Sequence, residues 1–512
     1  MILKYIVNSI AMVVLVVLAA AIFANAMTKE PARDEQMYCT AGILISQGKM
    51  IYRDFSYVAQ MPYHPMIYLV LFKISGTTHY LLAGRLASVV CDIVVMVCIF
   101  GIYRRVLGKS VTEVLSGLAG AVIYVFNPIT DYSNGYAWNN DAVLLCVILS
   151  FWLFVSAGNN RTIKFRQIFL IASLLTLATF MRITTAIVQL AFFAAILYQP
   201  FDSGRERLTA VGTFLFGTFL MSIRPVYIIL CAPKAFYLNA FRIQILNSQW
   251  LHKIGMVHDK SVLLTQSLMT CGYLALIITA LILSALTWLN RKRIQFKFPS
   301  HFFLAVSLII VFFAVAIVLP TTWKQHLAMP VPFIIVALAW PVAFFHKARL
   351  VKWINKLFLT GSSLIIISAI IAVISYPVVL RRIPAIFDHQ NWVPVRVHKI
   401  SKDIAAKAGN DCQILTLAPL WALEGGCDIY PELSAGPFVY RIGDFLSSED
   451  RALTHTTSPD TIAELTKATP PCAVILGAEM SFLEETLYQA VVTPAWKKQD
   501  YIDAGLRVYF RP

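Results

Sequence analysis

Long runs of apolar residues, separated by short polar segments, occupy most of the chain up to about residue 380. A helix needs about 20 apolar residues to cross ~30 Å of hydrocarbon, and many of these runs reach that length. The pattern therefore predicts about eleven membrane-spanning helices. We place them near residues 5–26, 79–103, 111–127, 140–157, 167–181, 183–199, 208–230, 263–288, 301–320, 327–345 and 357–378.

The pattern changes after residue 380. Short apolar runs at 413–417 and 473–476 are separated by amphipathic, helix-like stretches at 395–407 and 479–490. Strand-length apolar runs that alternate with helical patterns are typical of an α/β layer. The predicted fold is thus mostly α, a polytopic membrane helical bundle with a C-terminal extracytoplasmic α/β domain. We divide it into a transmembrane catalytic domain, 1–379, and an α/β domain, 380–512.

Composition and charge support this membrane assignment. Only 14% of the residues are charged and 58% are hydrophobic, whereas a soluble protein carries about 25% charged residues. The net charge of +16 comes from short basic clusters, such as Arg104-Arg105 and Arg291-Lys292, between alternate apolar runs. This is the pattern of the positive-inside rule rather than of a nucleic-acid-binding face, so we expect no nucleic acid partner.

The same rule sets the expected topology. The N-terminus is predicted to be cytoplasmic in a multi-pass protein of the cell inner membrane, with outer loops at 28–78, 128–139 and 231–262 and a periplasmic C-terminal domain. Ala24-Asn25-Ala26 resembles a signal-peptide cleavage site. The preceding apolar run, 6–23, exceeds the usual signal length, which favours a retained anchor; cleavage would leave the remaining topology unchanged.

Two carboxylates follow the first predicted span directly. Asp34 and Glu35 fall at the membrane surface, where a lipid-borne donor and a water-side acceptor meet. Glycosyl transfer needs a base to take the acceptor's proton while the anomeric carbon gains positive charge, and a carboxylate suits that task. The alternative is structural, because acidic residues at this position also cap the helix predicted from residue 36 to 46.

A further acid stands at the outer end of a later span. Asp141 follows Asn140 where the second outer loop enters the membrane, and it can face Asp34 across a cavity. There it could orient a hydroxyl or, together with Asp34, hold a divalent cation such as Mg²⁺ or Mn²⁺. Capping of the helix is the alternative role for Asp141.

Basic residues near outer helix ends are candidates for binding a donor phosphate, since a charge inside the bilayer usually has a partner or a role. For Arg85, an ion pair with Asp92, seven residues on along the same helix face, is the favoured interpretation. Interfacial snorkelling is the alternative for the last two members of the set. The set is Arg85, Arg182, Arg224, Lys324 and His326.

Three of the nine cysteines fall in the C-terminal domain, each at the start of a strand-like run. A disulfide between Cys412 and Cys427 is our choice for an oxidising compartment, with free thiols as the alternative. The spacing of the cysteines and the lack of nearby histidines argue against a zinc site.

The first loop also resembles a known family. Its motifs are Asp34-Glu35-x-x-Tyr38, then Gly48-x-x-x-Tyr52-x-Asp54-Phe55, then Met61-Pro62-Tyr63-His64-Pro65. This order resembles the GT-C membrane glycosyltransferases, most closely glycosyltransferase family 39, which holds protein mannosyltransferases and aminoarabinose transferases.

The resemblance implies an inverting enzyme that uses a polyprenyl-phosphate sugar donor. It gives the role of base to Asp34, with Glu35 beside it, and makes Asp141 the second acid. It also marks residues that would bind substrate, which are Tyr38, Asp54, His64 and Asn140.

One departure affects the substrate. Aminoarabinose transferases carry a lysine before the Pro-rich segment, where this chain has Gln60 and Met61, which argues against that sugar. The acceptor stays open among a glycolipid, a glycan and a protein. A transporter or lipid flippase is the rival hypothesis, yet the chain lacks the internal repeats expected of one. A non-catalytic scaffold would tolerate loss of the first-loop acids.

Overall fold

The computed structural model describes residues 2–108, 110–157, 163–256, 259–292, 298–347, 352–409 and 412–512. Up to residue 382 the described chain consists of helices joined by loops, short 3-10 turns and one π-helical turn, Leu238–Arg242. These helices are α1 (Ile2–Thr28), α2 (Arg33–Ser46), α3 (Tyr63–Ser75), α4 (Tyr80–Val106), α5 (Val111–Val125), α6 (Pro128–Ser133), α7 (Asn139–Ser156), α8 (Phe165–Thr179), α9 (Ala186–Leu197), α10 (Gly204–Cys231), α11 (Pro233–Tyr237), α12 (Ile243–Lys253), α13 (Lys260–Leu268), α14 (Cys271–Asn290), α15 (Ser300–Val318), α16 (Val331–Ala337), α17 (Ala339–Lys347), α18 (Lys352–Ser375) and α19 (Val378–Arg382).

Every predicted span contains a helix. Within the described ranges, seven helical segments are long and apolar enough to cross a membrane, and a bent pair, Thr360–Ser375 with Val378–Phe387, adds an eighth. Three of the predicted spans are shorter apolar helices: Val111–Val125, Phe165–Thr179 and Ile183–Leu197. The predicted polytopic helical bundle is therefore confirmed.

The helices differ in how much of their surface would contact lipid. On α10, Phe216, Phe219, Leu220 and Leu230 are exposed, a face that water would not favour but lipid would. By contrast, every residue of α16 is buried at the centre of the bundle, where it packs against α4, α5 and α15. A helix that is apolar on all sides suits this position.

The described C-terminal region is an α/β layer, as predicted. Its five-stranded sheet has the order β2-β1-β3-β5-β4, with the first three strands parallel and the last two antiparallel. The elements are α20 (Val393–Ala408), β1 (Gln413–Thr416), α21 (Pro419–Gly425), β2 (Asp428–Ile429), α22 (Pro437–Tyr440), α23 (Ser448–Thr454), α24 (Ile462–Ala468), β3 (Ala473–Leu476), α25 (Ser481–Val491), β4 (Lys497–Tyr501) and β5 (Leu506–Phe510).

The predicted disulfide is corrected by this sheet. Cys412 pairs with Cys472, at a Cα–Cα distance of 5.8 Å, and Cys427 is a free, buried thiol. Because β1 lies between β2 and β3, the residue that precedes β1 has a cysteine near it on either side. Strand order, which the spacing of cysteines does not reveal, therefore decided the pairing.

The α/β layer rests on the loop between α1 and α4, residues 29–79, which we call the first loop. Residues of α2, such as Met37 and Tyr38, share one hydrophobic core with tail residues such as Leu420 and Tyr440. Polar contacts reinforce the packing: Gln36 Oε1 accepts the Leu420 N–H at 3.1 Å, and Ser56 donates to the Thr454 carbonyl at 2.6 Å. Helix α2 is thus held between the bundle and the tail.

Candidate active site

The first turn of α2 sends its two carboxylates in different directions. Successive helical residues point about 100° apart, so neighbouring side chains cannot occupy one environment. Glu35 is completely buried, whereas Asp34 is only half-buried. The sequence predicted a joint catalytic role for the two carboxylates, whereas the structure places them in different surroundings.

Glu35 is fully occupied by hydrogen bonds. Its Oε1 accepts from Arg85 Nε at 2.9 Å and from the Ala137 N–H at 2.6 Å. Its Oε2 accepts from Arg85 Nη2 at 2.8 Å and from the Ala32 N–H at 2.9 Å, which caps α2. With both oxygens taken and both side chains 0% exposed, Glu35 holds loops together and has no oxygen free for chemistry.

This ion pair corrects three expectations. The predicted catalytic role for Glu35 does not fit its surroundings, and Arg85 is not available to a donor phosphate. The favoured pair of Arg85 with Asp92 is also wrong. Asp92 instead accepts hydrogen bonds of 2.5 Å from the Tyr124 hydroxyl and from Asn134 Nδ2.

Asp34 interacts electrostatically with three arginines. Burial raises the pKa of Asp34 to about 6, although Arg182, Arg441 and Arg33 each act to lower it. Desolvation disfavours the charged carboxylate and nearby guanidinium groups favour it, so the first effect prevails here. A carboxyl that titrates near neutral pH is suited to accept and release a proton.

Arg182 is fixed by a pair of asparagines at the start of α7. It lies in the connection between α8 and α9, and its guanidinium donates to Asn139 Oδ1 at 2.8 Å and to Asn140 Oδ1 at 3.0 Å. Asn139 in turn donates to the Met181 carbonyl at 3.0 Å. Asn140, predicted to bind substrate, therefore positions an arginine.

Several predicted site residues gather around Arg182. Its guanidinium interacts electrostatically with Asp34, Tyr38 and Asp141, and also with His326. The Tyr38 ring packs edge-on against the imidazole of His64, with ring centroids 4.8 Å apart. Residues from the first loop, from α7 and from the turn before α16 thus interact electrostatically with a single guanidinium.

Asp141 occupies the buried side of this group. It has no exposed surface, and one of its oxygens accepts the Gly135 N–H at 2.9 Å while the other has no partner. Both Asp34 and Asp141 interact with Arg182, but a cavity shared by the two carboxylates stays a prediction.

The two aspartates do not fit a divalent-cation site. Arg182 already supplies positive charge to both carboxylates, and Asp141 spends an oxygen on a backbone N–H. In the part of the chain that the structure describes, no group of three or more His, Cys, Asp or Glu side chains could hold a metal ion. We derive no step through a metal.

Three predicted binding residues have neighbours other than Arg182. Asp54 pairs with its neighbour Arg53 at 2.8 Å and accepts the Met50 N–H at 2.7 Å, so it stabilises a turn. Arg224 is exposed on α10, with its guanidinium 5.3 Å from the Tyr227 ring. Lys324 is also exposed and lies 5.9 Å from the ring of Tyr132.

Sequence reasoning missed Arg441, which the C-terminal region brings to Asp34. The residue is 6% exposed, and its guanidinium lies 5.0 Å from the Trp250 ring and 5.1 Å from the Phe438 ring. Its buried Nε has no hydrogen-bond partner. Burial lowers the pKa of Arg441 to about 10, which still leaves it charged at neutral pH. Only docking of the tail reveals this contact, so the sequence offered no signal for it.

A second polar cluster was missed as well. In the loop between α5 and α7, residues 126–138, Asp131 accepts from Arg382 at 2.9 Å and from the Tyr376 hydroxyl at 2.7 Å. Lys29 donates to the Asn134 carbonyl at 2.6 Å. These hydrogen bonds connect the last spans to the ends of α1 and α5. The charged side chains of the cluster thus have hydrogen-bond partners within it.

Comparisons with known proteins give a partial family match and a likeness of fold. Residues 59–229 match the sequence model of the family described as dolichyl-phosphate-mannose-protein mannosyltransferase. A search of the curated proteins finds no match.

Two solved structures share the fold over almost the entire chain. ArnT from Cupriavidus metallidurans bound to undecaprenyl phosphate is similar with a TM-score of 0.61 and 10% identity, covering 99% of this chain and 97% of that one. ArnT in the apo state gives a TM-score of 0.60 at 10% identity, with 98% of each chain covered. At this identity the likeness shows the fold: the chain has the fold of these two structures over almost its entire length, as the resemblance of the first loop implied.

Proposed function

We propose that the protein transfers a sugar from a polyprenyl-phosphate donor to an envelope acceptor, with Asp34 as the base. The observation that carries this proposal is a half-buried carboxyl whose pKa is raised to about 6 by burial, set among three arginines. Such a group is ionised at neutral pH yet basic enough to take a hydroxyl proton.

The donor phosphate is assigned to Arg182 and Arg441. Guanidinium groups bind phosphate oxygens through paired N–H donors, and held rigidly they stabilise charge that develops on a leaving group. Two asparagines immobilise Arg182, and Arg441 has a buried Nε without a partner. His326 interacts with Arg182 and is placed at the edge of the same subsite.

The proposed reaction balances as follows. The acceptor hydroxyl gives its proton to Asp34 while its oxygen bonds to the anomeric carbon from the face opposite the phosphate. The bond between that carbon and the phosphate oxygen breaks, and the electron pair leaves with the polyprenyl phosphate. The anomeric centre inverts, and the proton on Asp34 passes to water. Asp141, buried beyond Arg182, helps to hold the guanidinium in place.

A lipid-phosphate donor also fits the neighbours of this chain. The match to a dolichyl-phosphate-mannose-protein mannosyltransferase family and the ArnT structure with undecaprenyl phosphate both concern polyprenyl phosphates. We place the protein in the inner membrane with a cytoplasmic N-terminus. The first loop and the tail then face the periplasm, where a glycolipid, a glycan or a protein would serve as acceptor.

The test is turnover of a synthetic short-chain polyprenyl-phosphate mannose by the purified protein in lipid nanodiscs. Release of polyprenyl phosphate is followed by mass spectrometry for the wild type and for Asp34→Asn. The control is Asp202→Asn, the same substitution in the connection between α9 and α10. General-base catalysis contributes about 10²–10⁴-fold, so Asp34→Asn should lose at least 10²-fold while the control keeps full turnover. Wild-type turnover by a folded Asp34→Asn protein would refute the assignment.

A further inference from the structure

A cavity of about 360 Å³ lies between the first turn of α2 and the C-terminal sheet. Arg33 and Gln36 of α2 form one wall, and Leu417 and Gly477, which follow β1 and β3, form the opposite wall. These are the carboxyl ends of two parallel strands, the edge at which open α/β sheets bind ligands. Its volume is in the range of small-molecule sites.

One buried group in this cavity lacks a partner. The Glu479 side chain is 3% exposed; one of its oxygens pairs with Arg33 at 2.6 Å, and the other has no hydrogen-bond partner. A buried acceptor left unsatisfied is costly, on the order of 1–3 kcal/mol, so it is usually explained by something that binds there.

The position of Glu479 is itself fixed. Glu484, buried at the start of α25, accepts the Gly477 N–H at 2.6 Å and the Glu479 N–H at 2.8 Å. The loop after β3 is therefore held in shape from behind. A rigid loop that presents an unsatisfied oxygen is what a pre-formed binding site requires.

The charges around the cavity indicate what it would accept. Three carboxylates line it, from Glu30, Glu479 and Asp503. Arg33 pairs with Glu479 and Arg396 pairs with Glu30 at 3.1 Å, which leaves Asp503 without an ion-pair partner among the described residues. This excess of negative charge disfavours a phosphate and favours a neutral group that donates hydrogen bonds. Trp421, together with leucine, alanine and proline side chains, supplies an apolar wall.

A sugar ring satisfies both requirements, because it has hydroxyl donors at its edge and an apolar C–H face. The cavity is lined by the helical turn that carries the reacting carboxyl: Arg33 and Gln36 precede and follow Asp34 in the chain, and Arg441 interacts electrostatically with both Asp34 and Glu479. A ring held here would place a hydroxyl toward Asp34.

We propose that this cavity between α2 and the sheet edge is the acceptor subsite, and that it selects a neutral glycan ring, free or lipid-linked, rather than a protein or a phosphorylated group. The inference rests on the proposed function, since the donor and Asp34 occupy the arginine-lined side of the same helical turn. The tail then selects the acceptor while the bundle binds the donor.

The first test measures binding without turnover. Saturation-transfer NMR on the full-length protein in nanodiscs uses methyl β-maltoside as the neutral probe and methyl glucoside 6-phosphate as the anionic one. We expect transfer to the neutral probe only, reduced at least fivefold by Asp503→Asn or Glu479→Gln. The matched control Glu485→Gln, on the exposed face of α25, should bind as wild type does. Equal binding by all variants would overturn the subsite.

The second test uses kinetics with polyprenyl-phosphate mannose as donor. Glu479→Gln should raise KM for methyl β-maltoside about tenfold, whereas the control Glu485→Gln should leave both this KM and acceptor-independent donor hydrolysis unchanged. Preference for a Ser/Thr peptide over the glycoside would overturn the inference while the transferase proposal stands. Binding of the glycoside without any donor turnover would have the opposite meaning: the subsite would stand and the transferase proposal would fall.

Discussion

Replacement of Glu35 by glutamine should destabilise the fold strongly. The substitution leaves Arg85 charged at a position that is 0% exposed, with its main counter-charge gone. Removing one partner of a buried ion pair costs about 3–5 kcal/mol, because the remaining charge stays desolvated. Two backbone donors, at Ala32 and Ala137, also lose a charged acceptor.

The loss can be measured as the unfolding temperature of the detergent-purified protein, followed by size-exclusion chromatography after heating. A cycle of Glu35→Gln, Arg85→Gln and the double variant separates the pair from its surroundings. We expect each single variant to unfold well below wild type. The double variant should lose less than the two singles together, since neither charge is then left alone in the core.

The neighbouring carboxylate provides the matched comparison. Since burial raises the pKa of Asp34 to about 6, the folded state binds a proton more tightly than the unfolded chain does. Stability due to this group is then greatest at low pH and falls as pH rises from about 4 to about 6. At neutral pH Asp34→Asn should therefore be at least as stable as wild type. Similar unfolding temperatures for Glu35→Gln and Asp34→Asn would refute the division of roles between the two residues.

Two further predictions follow from the site and the sheet. If Asp34 is the base, kcat/KM should rise with pH through about 6 and then level off. Arg441→Gln removes a positive charge that favours the Asp34 carboxylate, so the rising part of the measured pH–rate profile should move to higher pH by roughly one unit. Peptide mapping without reduction should recover Cys412 joined to Cys472, and Cys427 should be alkylated only after unfolding. Cys472→Ser should lower the free energy of unfolding in denaturant by about 2–4 kcal/mol. A peptide in which Cys412 is joined to Cys427 would contradict the observed sheet.

The sequence predicted the fold well because hydrophobic length and period determine it locally. Apolar runs of span length gave the helices, and the switch after residue 380 to short alternating runs gave the sheet. The partners of each element are set by tertiary packing, which periodicity does not reveal. That is why Cys472 was overlooked as the partner of Cys412.

The site was predictable in part for the same reason. Asp34 was singled out as a carboxylate that follows the first span within the family motif, and Arg182 because a charge near the end of a span usually has a partner or a role. Residue type alone could not assign different roles to Asp34 and Glu35. Their roles depend on the 100° rotation between adjacent helical positions and on the location of Arg85, which pairs with Glu35. Arg441 was beyond reach, because it meets Asp34 only when the tail docks.

The central claim is that a donor phosphate binds at Arg182 and Arg441 with its sugar against Asp34. A cryo-EM structure of the protein in nanodiscs with a non-hydrolysable polyprenyl-phosphonate mannose tests it most directly. We expect the phosphonate within hydrogen-bond distance of both guanidinium groups and the anomeric carbon beside the Asp34 carboxylate. A phosphonate bound at Arg224 or Lys324, with Asp34 out of reach of the sugar, would contradict the account.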